Sequence, residues 1–345
     1  MTKKTHSFIQ IYCMRWLKRF VIVLAMLVMV YLLGPHPTTP IYGTEMPSVP
    51  SIDQLEKFIS TAEAMHHLRP NNEARVVWAN DSLKQKTEYA IVYLHGFSAC
   101  QEEGNPVHRN IAQQFGCNLY LARLAEHGID TAEQLVNLTP ENYWKSAQQA
   151  LAIGKQLGNK VILMGTSTGG TQALQLAATY PNDVAALVLY SPNIAINDSK
   201  AWLLNNPWGL QIARLVKRTK YLVAEDDRPI YRQYWNKPYR LEATIALEEM
   251  LETTMNTETF GKVKQPTLLL YYYKDEQHQD PVVKVSAMKE MFVQLSTADS
   301  LKRAIALPLT GDHVIASPIK SKDVAGVERE TKRFLNELIH LPVKN

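Results

Sequence analysis

The sequence predicts an α/β protein with a mostly parallel, doubly wound sheet. Short apolar runs with the composition of buried strands alternate along the chain with longer segments of helical periodicity. Several runs are apolar at consecutive positions, as in EYAIVYL (88–94) and TLLLYYY (267–273), which is typical of strands covered on both faces. A chain of 345 residues is also long enough to bury a large core.

In the first half of the domain, each predicted element has its own signal. Ser51 is a candidate N-cap for a helix over 51–68, the 141–157 helix is amphipathic, and the 168–180 helix is rich in Ala, Leu and Gln. A further helix is predicted over 106–115. The predicted strands are 74–79, 88–94, 118–122 and 161–164.

The second half continues the alternation after one interruption. Strands are predicted over 184–190, 267–273 and 302–307, the last stopped by Pro308, and helices over 282–295 and 321–341. Residues 193–265 break the pattern and hold three tryptophans among helix-compatible runs at 211–218 and 241–252. This insertion is interpreted either as a lid over an apolar substrate or as helices that complete the core.

Residues 1–34 predict an export signal or a short N-terminal membrane anchor. They contain five basic residues and no acidic one, and the basic part precedes fourteen uninterrupted apolar residues, 20–33. A membrane span needs about 20 apolar residues and a signal-peptide core about 7 to 15. No clear cleavage site follows, which favours an uncleaved anchor. We therefore expect an exported protein, either membrane-anchored or periplasmic.

The rest of the composition narrows the function. Residues 35–50 are rich in Pro, Thr and Gly and predict an irregular linker, after which 51–345 form one domain. The net charge of +4 is concentrated in the N-terminal segment, so no nucleic-acid face is expected. The histidines show no paired ligand spacing, so neither a metal nor another cofactor is implied. Cys100 and Cys117 either pair or stay as buried thiols.

The stretch Gly165-Thr166-Ser167-Thr168-Gly169 lies between a predicted strand and a predicted helix. Glycines two residues before and after the serine permit a tight turn, which would expose Ser167 at the end of the strand as a nucleophile. The helix that begins at Thr168 points its N-terminal amides at the same place. The alternative is a plain Gly/Ser-rich connection.

A second strand end carries His95-Gly96-Phe97-Ser98. A glycine there lets the next amide turn toward Ser167, so the Phe97 N–H and the Thr168 N–H are predicted to form an oxyanion hole. Two later strands are followed by acids at Asp275 and Asp280, and by His313. The order of nucleophile, acid and histidine along the chain is that of one serine-hydrolase fold.

These motifs together resemble the α/β-hydrolase superfamily, in particular its monoacylglycerol lipase, lysophospholipase and carboxylesterase branch. The resemblance runs from residue 88 to residue 341 and also includes the loop Arg123-Leu124-x-x-His127-Gly128. It implies an α/β-hydrolase fold with a helical lid at about 193–265. It also implies a triad of Ser167, an aspartate and His313.

The resemblance leaves the aspartate open. Asp275 lies at the usual distance after the strand, whereas Asp280-Pro281-Val282-Val283 has the usual local pattern before a helix. We assign Asp280, with Asp275 as the alternative and Asp198 as a more distant one.

The predicted function is hydrolysis of a carboxylic ester, lipid-like or with a short acyl chain, through an acyl-enzyme on Ser167. The same three groups would also serve a serine peptidase or a thioesterase, because all three reactions are acyl transfers. A non-catalytic binding protein with a hydrolase fold is the remaining alternative. The expected partner is a small-molecule or lipid ester, and the sequence makes no prediction of oligomeric state.

Overall fold

The fold is known from a computed structural model that describes residues 2–223 and 226–344, with side chains from residue 12 onward. The strands are β1 (Arg75–Val77), β2 (Thr87–Leu94), β3 (Asn118–Leu121), β4 (Gly158–Thr166), β5 (Val184–Tyr190), β6 (Tyr221–Leu222), β7 (Tyr239–Arg240), β8 (Thr267–Tyr271) and β9 (Lys302–Ala306). Seven of them form one sheet in the order β1-β3-β2-β4-β5-β8-β9. Only β1 is antiparallel to its neighbour. The predicted mostly parallel sheet is confirmed.

The helices follow the predicted alternation closely. They are α1 (Thr2–Leu32), α2 (Ile52–Glu63), α3 (Val107–Phe115), α4 (Pro140–Leu157), α5 (Thr168–Thr179), α6 (Gly209–Lys217), α7 (Pro229–Tyr234), α8 (Leu241–Thr254), α9 (Thr257–Lys262), α10 (Val285–Gln294) and α11 (Val324–Glu337). α4 begins with a capping box, in which the Thr139 side chain accepts from the Asn142 amide and the Asn142 side chain accepts from the Thr139 amide.

Both faces of the sheet are buried. Alternate residues of β2 point to opposite sides, so that Val92 and Leu94 pack with α4 and α5, while Ile91 and Tyr93 pack with α3 and α11. The register sets Leu94 of β2 beside Gly165 of β4. The carboxyl ends of the central strands therefore meet at one edge of the sheet, where ligands bind in open α/β folds.

The segment between β5 and β8 divides into two parts. α8 and α9 pack into the core with residues such as Leu247, Met250 and Phe260. α6 and α7 instead lie over the carboxyl edge, and only Gly209 of α6 is buried. One part of residues 193–265 therefore completes the core, as one interpretation predicted, and the other part borders the carboxyl edge of the sheet.

The N-terminal prediction needs a correction. Within the described residues, no helix combines the length and the apolar character needed to cross a membrane. The transmembrane anchor predicted in residues 1–34 is therefore not supported. An apolar run of fourteen residues rises about 21 Å as a helix, against about 30 Å of membrane hydrocarbon.

The segment 35–50 has no helix or strand, as predicted, but it is bound to the domain. The Gly43 carbonyl accepts from the Trp144 indole at 2.7 Å and from the Gln148 amide at 2.8 Å, and the Thr44 carbonyl accepts from the Tyr180 hydroxyl at 3.0 Å. This segment is a packed strap across α4. Cys100 and Cys117 are buried free thiols and do not pair.

Candidate active site

Ser167 occupies the sharp turn between β4 and α5. Its backbone has φ 52° and ψ −121°, a conformation that non-glycine residues rarely adopt. A Cβ atom added at Gly169 would lie 1.9 Å from the Leu94 carbonyl oxygen, and one at Gly165 would lie 2.5 Å from the Gly169 carbonyl oxygen. The turn therefore closes only with glycine at both positions. The Ser167 amide donates to the Tyr190 carbonyl at 2.9 Å and ties the turn to β5.

Asp280 and His313 form a buried pair. The Asp280 Oδ2 atom lies 2.7 Å from His313 Nδ1, and the Asp280 side chain is fully buried. The other carboxylate oxygen, Oδ1, accepts from the Val282 and Val283 amides at 2.9 and 3.0 Å. Burial opposes protonation of His313, but the charge and hydrogen bond of Asp280 outweigh it, and the pKa of His313 is raised. This is the arrangement of a base held by a carboxylate.

The two alternative aspartates lie elsewhere. The Asp275 carboxylate accepts from the His278 ring at 2.8 Å and from the amides of Gln277 and His278 in its own exposed loop. The hydrogen bond from His278 is the main reason why the pKa of Asp275 is lowered. Asp198 accepts from the Lys200 amide at the rim of the site. Among the described residues, only Asp280 binds His313 through a carboxylate.

Ser167 and His313 line the same cavity of about 1320 Å³ at the carboxyl edge of the sheet. Within the described chain, the hydrogen bonds join His313 to Asp280, while the Ser167 hydroxyl is left facing the cavity. In structures without substrate, catalytic hydrogen bonds are often long or poorly aligned, and they tighten only when the substrate binds. The three residues are therefore brought to one place, with the carboxylate–imidazole contact already formed.

The two amides predicted for an oxyanion hole also border this cavity. Phe97 and Thr168 both line it beside Ser167. Thr168 begins α5, so its amide has no partner within the helix. In the part of the chain that the structure describes, neither amide has another hydrogen-bond acceptor. Both are therefore available to an oxygen of the substrate.

Two buried imidazoles hold the loop that carries Phe97. His95 Nε2 accepts from the Leu124 amide at 3.0 Å, and His127 Nε2 accepts from the Ser98 amide at 3.0 Å. Burial lowers the pKa of His95 to about 4 and that of His127 well below its ordinary value. Both rings are therefore neutral at physiological pH, as an imidazole that accepts a hydrogen bond must be.

The cavity is lined by both apolar and charged residues. Ile212 and Val216 of α6 and Val223 are among the apolar ones, and Arg228 and Lys320 are among the charged ones. Both charges are engaged, since the Arg228 guanidinium and the Lys320 ammonium pair with Asp226. The site can therefore accommodate a substrate with both an apolar and a polar portion.

A cofactor is not needed for the chemistry of this arrangement, because a serine, an imidazole and two amides suffice for acyl transfer. No group of three or more His, Cys, Asp or Glu side chains in the described part of the chain is placed to hold a metal ion.

Comparison with protein families gives one match. Residues 141–309 match a family described as serine aminopeptidase, S33. The matched range is slightly less than half of the chain. It includes Ser167 and Asp280 and stops before His313. No curated protein sequence matches the chain.

Solved structures give broader similarity. A metagenome-derived lipolytic enzyme of the LipS and LipT pair has a TM-score of 0.59 at 15% identity, over 79% of this chain and 100% of that one. The Paleococcus ferrophilus monoacylglycerol lipase gives 0.54 at 15%, over 76% and 98%. Est1E from Butyrivibrio proteoclasticus, with ferulic acid bound, gives 0.52 at 16%, over 78% and 95%. At such identities the similarity establishes the fold and not the substrate.

Proposed function

This chain has the α/β-hydrolase fold, as its motifs predicted, and on that basis we propose that it is a serine hydrolase that cleaves carboxylic esters through an acyl-enzyme on Ser167. The observation that carries the proposal is the His313–Asp280 contact of 2.7 Å beside the strained turn of Ser167. A hydrogen-bonded carboxylate and imidazole beside the same cavity as a serine is the machinery of acyl transfer.

The reaction uses only groups of this chain and water. His313 takes the hydroxyl proton as Ser167 attacks the carbonyl carbon, and then donates it to the leaving alcohol. Asp280 keeps Nδ1 protonated, so that Nε2 is the free base, and stabilises the imidazolium. The amides of Phe97 and Thr168 bind the oxyanion. Water then attacks the acyl-enzyme in the same way and releases the acid.

The cavity supports an ester with an apolar acyl group. Its volume of about 1320 Å³ exceeds that of most small-ligand pockets, which lie roughly between 300 and 1000 Å³. The apolar lining residues suit an acyl chain, and the charged ones suit a polar alcohol. A lipid-like ester and a short acyl ester are both compatible with this lining.

Peptide cleavage is the second candidate, and one observation favours it. The matched family is described as serine aminopeptidase. With the same imidazole and amides, Ser167 would attack a peptide carbonyl, and His313 would donate its proton to the leaving amine as it does to a leaving alcohol. Ester and amide turnover must therefore be compared directly.

Two measurements test the proposal. A fluorophosphonate probe should label the wild-type protein and fail to label Ser167→Ala, whereas equal labelling of both would exclude Ser167 as the nucleophile. A series of p-nitrophenyl esters of increasing acyl length, set beside aminoacyl p-nitroanilides, then compares the two candidate activities. Ester turnover at least 100-fold above anilide turnover is expected, and the reverse order would assign the protein as a peptidase.

We also propose that the domain is exported, since a basic stretch precedes the apolar run 20–33. The Trp208 indole donates to the Val30 carbonyl at 2.9 Å and the Trp208 amide to the Pro35 carbonyl at 2.9 Å. These contacts bind the end of α1 to the domain and favour its retention after export. The mass of the mature N-terminal peptide in an extracytoplasmic fraction tests both points. Recovery in the cytoplasm alone would contradict export.

A further inference from the structure

Glu103 is a carboxyl group that the reaction described above does not use. It lies on the 3₁₀ turn Gln101–Gly104, a few residues after the loop that carries Phe97. Its side chain is almost completely buried, with 2% of its surface exposed, and it borders the same cavity as Ser167. Carboxylates are seldom buried this deeply without a specific partner. Its position beside the nucleophile therefore calls for a role.

The partner of Glu103 is the backbone of the oxyanion loop. Its Oε2 atom accepts from the Gly96 amide at 2.6 Å, a short hydrogen bond of the kind that ionised acceptors form. A Cβ atom added at Gly96 would lie 2.9 Å from this oxygen and 2.9 Å from the Ser167 Cβ atom. Gly96 is therefore held between the carboxylate and the nucleophile, in a gap that admits no side chain.

Gly96 needs such a restraint because a glycine backbone rotates more freely than any other. Its carbonyl is fixed by the His95 ring at 2.9 Å and by the Ala99 amide at 3.2 Å. Its amide is fixed by Glu103. Together these contacts restrict rotation on both sides of the Gly96 α-carbon, and the Phe97 amide is the next group along the chain.

We propose that Glu103 is a positioning residue for the oxyanion hole, which holds the Gly96 amide so that the Phe97 N–H points at the oxygen that becomes negative during attack by Ser167. The inference rests on the proposed function and adds a residue to that same site. Misplacing one donor by about 1 Å can cost as much as 100-fold in rate. Glu103 thus acts through the backbone and not by contact with the substrate.

The charge of Glu103 has a second, separable effect. Burial raises the pKa of Glu103 to about 7, although the Gly96 hydrogen bond and the charge of His313 lower it. In turn, burial lowers the pKa of His313, and the charge and hydrogen bond of Asp280 raise it. The charge of Glu103 raises it further. The titratable groups around the carboxylate are Asp312, His313, Tyr93, Tyr143, Tyr231 and Cys100.

The experiment separates the hydrogen-bond acceptor from the charge. Glu103→Gln keeps an oxygen for the Gly96 amide and removes the charge, whereas Glu103→Met has a similar size and no such acceptor. Glu103→Ala repeats the loss of the acceptor with a smaller side chain. Glu102→Ala is the matched control, because Glu102 belongs to the same turn and binds the Asn105 side chain instead. Thermal melting establishes that each variant is folded.

We expect kcat for a p-nitrophenyl ester to fall about 10- to 100-fold in the Met and Ala variants, with KM changed less than about 3-fold. The Gln variant should stay within about 5-fold of wild type, because the acceptor is retained. Its acidic limb of kcat/KM should move to lower pH, since loss of the negative charge lowers the pKa of His313. Glu102→Ala should match wild type.

Three results would overturn the inference. One is a folded Met or Ala variant with kcat within 3-fold of wild type. Another is a folded Gln variant as slow as the Met variant, which would show that the acceptor is not what matters. The third concerns labelling by the fluorophosphonate probe. If the wild type and the Met variant react with the probe equally fast, this inference alone is contradicted. A wild type that does not react contradicts the proposed function as well.

Discussion

Replacing Asp280 by asparagine should stop most turnover by changing which nitrogen of His313 carries the proton. In the native site, one oxygen of Asp280 accepts from the amides of Val282 and Val283 and the other accepts from His313. An asparagine has a single oxygen. If that oxygen keeps the two amide hydrogen bonds, the side-chain NH₂ faces His313 Nδ1, which must then give up its proton.

The magnitude follows from this tautomer change. With Nδ1 unprotonated, Nε2 carries the proton and can no longer accept one from Ser167. Loss of the carboxylate charge removes the stabilisation of the imidazolium as well. Together these effects are expected to lower kcat about 10³- to 10⁴-fold, or roughly 4 to 5 kcal/mol of transition-state stabilisation. Steady-state hydrolysis of a short p-nitrophenyl ester measures the change.

Asp275→Asn is the matched control and the decisive comparison. Among the residues that the structure describes, the Asp275 carboxylate accepts only from Gln277 and His278 of its own exposed loop. Its loss should change kcat less than about 3-fold, as for other exposed side chains away from a site. A large loss in Asp275→Asn together with a small loss in Asp280→Asn would refute the assignment. Equal and small losses in both would refute the triad itself.

Three further predictions follow from the site. Gly169→Ala should abolish soluble, folded protein, because its Cβ atom would meet the Leu94 carbonyl at 1.9 Å; Gly261→Ala, which has open space around it, should express and melt like wild type. The kcat/KM of the wild type should fall as the pH drops through the raised pKa of His313, above its ordinary 6.5, because a protonated imidazole cannot accept the serine proton; a flat profile from about pH 5 to pH 8 would contradict a His313 base. Glu103 has a pKa of about 7 when folded, above its ordinary 4.5, so its ionisation destabilises the fold as the pH rises through that range, by about 3 kcal/mol; Glu103→Gln should therefore melt above wild type at about pH 8 but not at about pH 4, and a gain at both would point to another cause.

The sequence predicted the sheet well because its strands are buried on both faces. Such strands are apolar at consecutive positions, so β2, β5 and β8 stood out without knowledge of their neighbours. The insertion was harder to interpret. α6 and α8 both mix apolar and polar residues, yet only Gly209 of α6 is buried, whereas most residues of α8 are buried. Whether a helix covers the cavity or packs into the core depends on the path of the chain between α6 and α8. Hydrophobic periodicity does not predict that path.

The candidate site was predictable wherever a motif fixes the backbone. Ser167 was named from a glycine-bracketed turn at a strand end, and His313 from the loop after the last strand and its place in the chain order. The aspartate remained between Asp280 and Asp275, because both follow the same strand. What distinguishes them is a hydrogen-bond pattern. One oxygen of Asp280 accepts from the amides of Val282 and Val283, and the other oxygen is therefore directed toward His313.

The residues that sequence reasoning missed all act on backbone atoms of one loop. The His127 ring accepts from Ser98, Glu103 accepts from Gly96, and the Asn236 amide donates to the Ser98 carbonyl at 2.5 Å. His127 and Asn236 lie far along the chain from this loop, whereas Glu103 follows it closely. In each case the partner is a peptide group, so the residue type at the partner position carries no signal of the contact. A weak signal existed for His127, which the family-like loop motif contained.

An oxyanion hole requires this kind of support because its donors must be aimed before the charge develops. A glycine next to the donor allows the close approach to Ser167 but also lets the peptide rotate. Hydrogen bonds with neutral imidazoles and a buried carboxyl group restrict this rotation, although burial of the carboxyl group is itself unfavourable. A protein that only bound a ligand in this cavity would have no need to bury Glu103 against the Gly96 amide. The proposed role of Glu103 therefore predicts that the backbone around Gly96, and not only the side chains of Ser167, Asp280 and His313, sets the rate of the reaction.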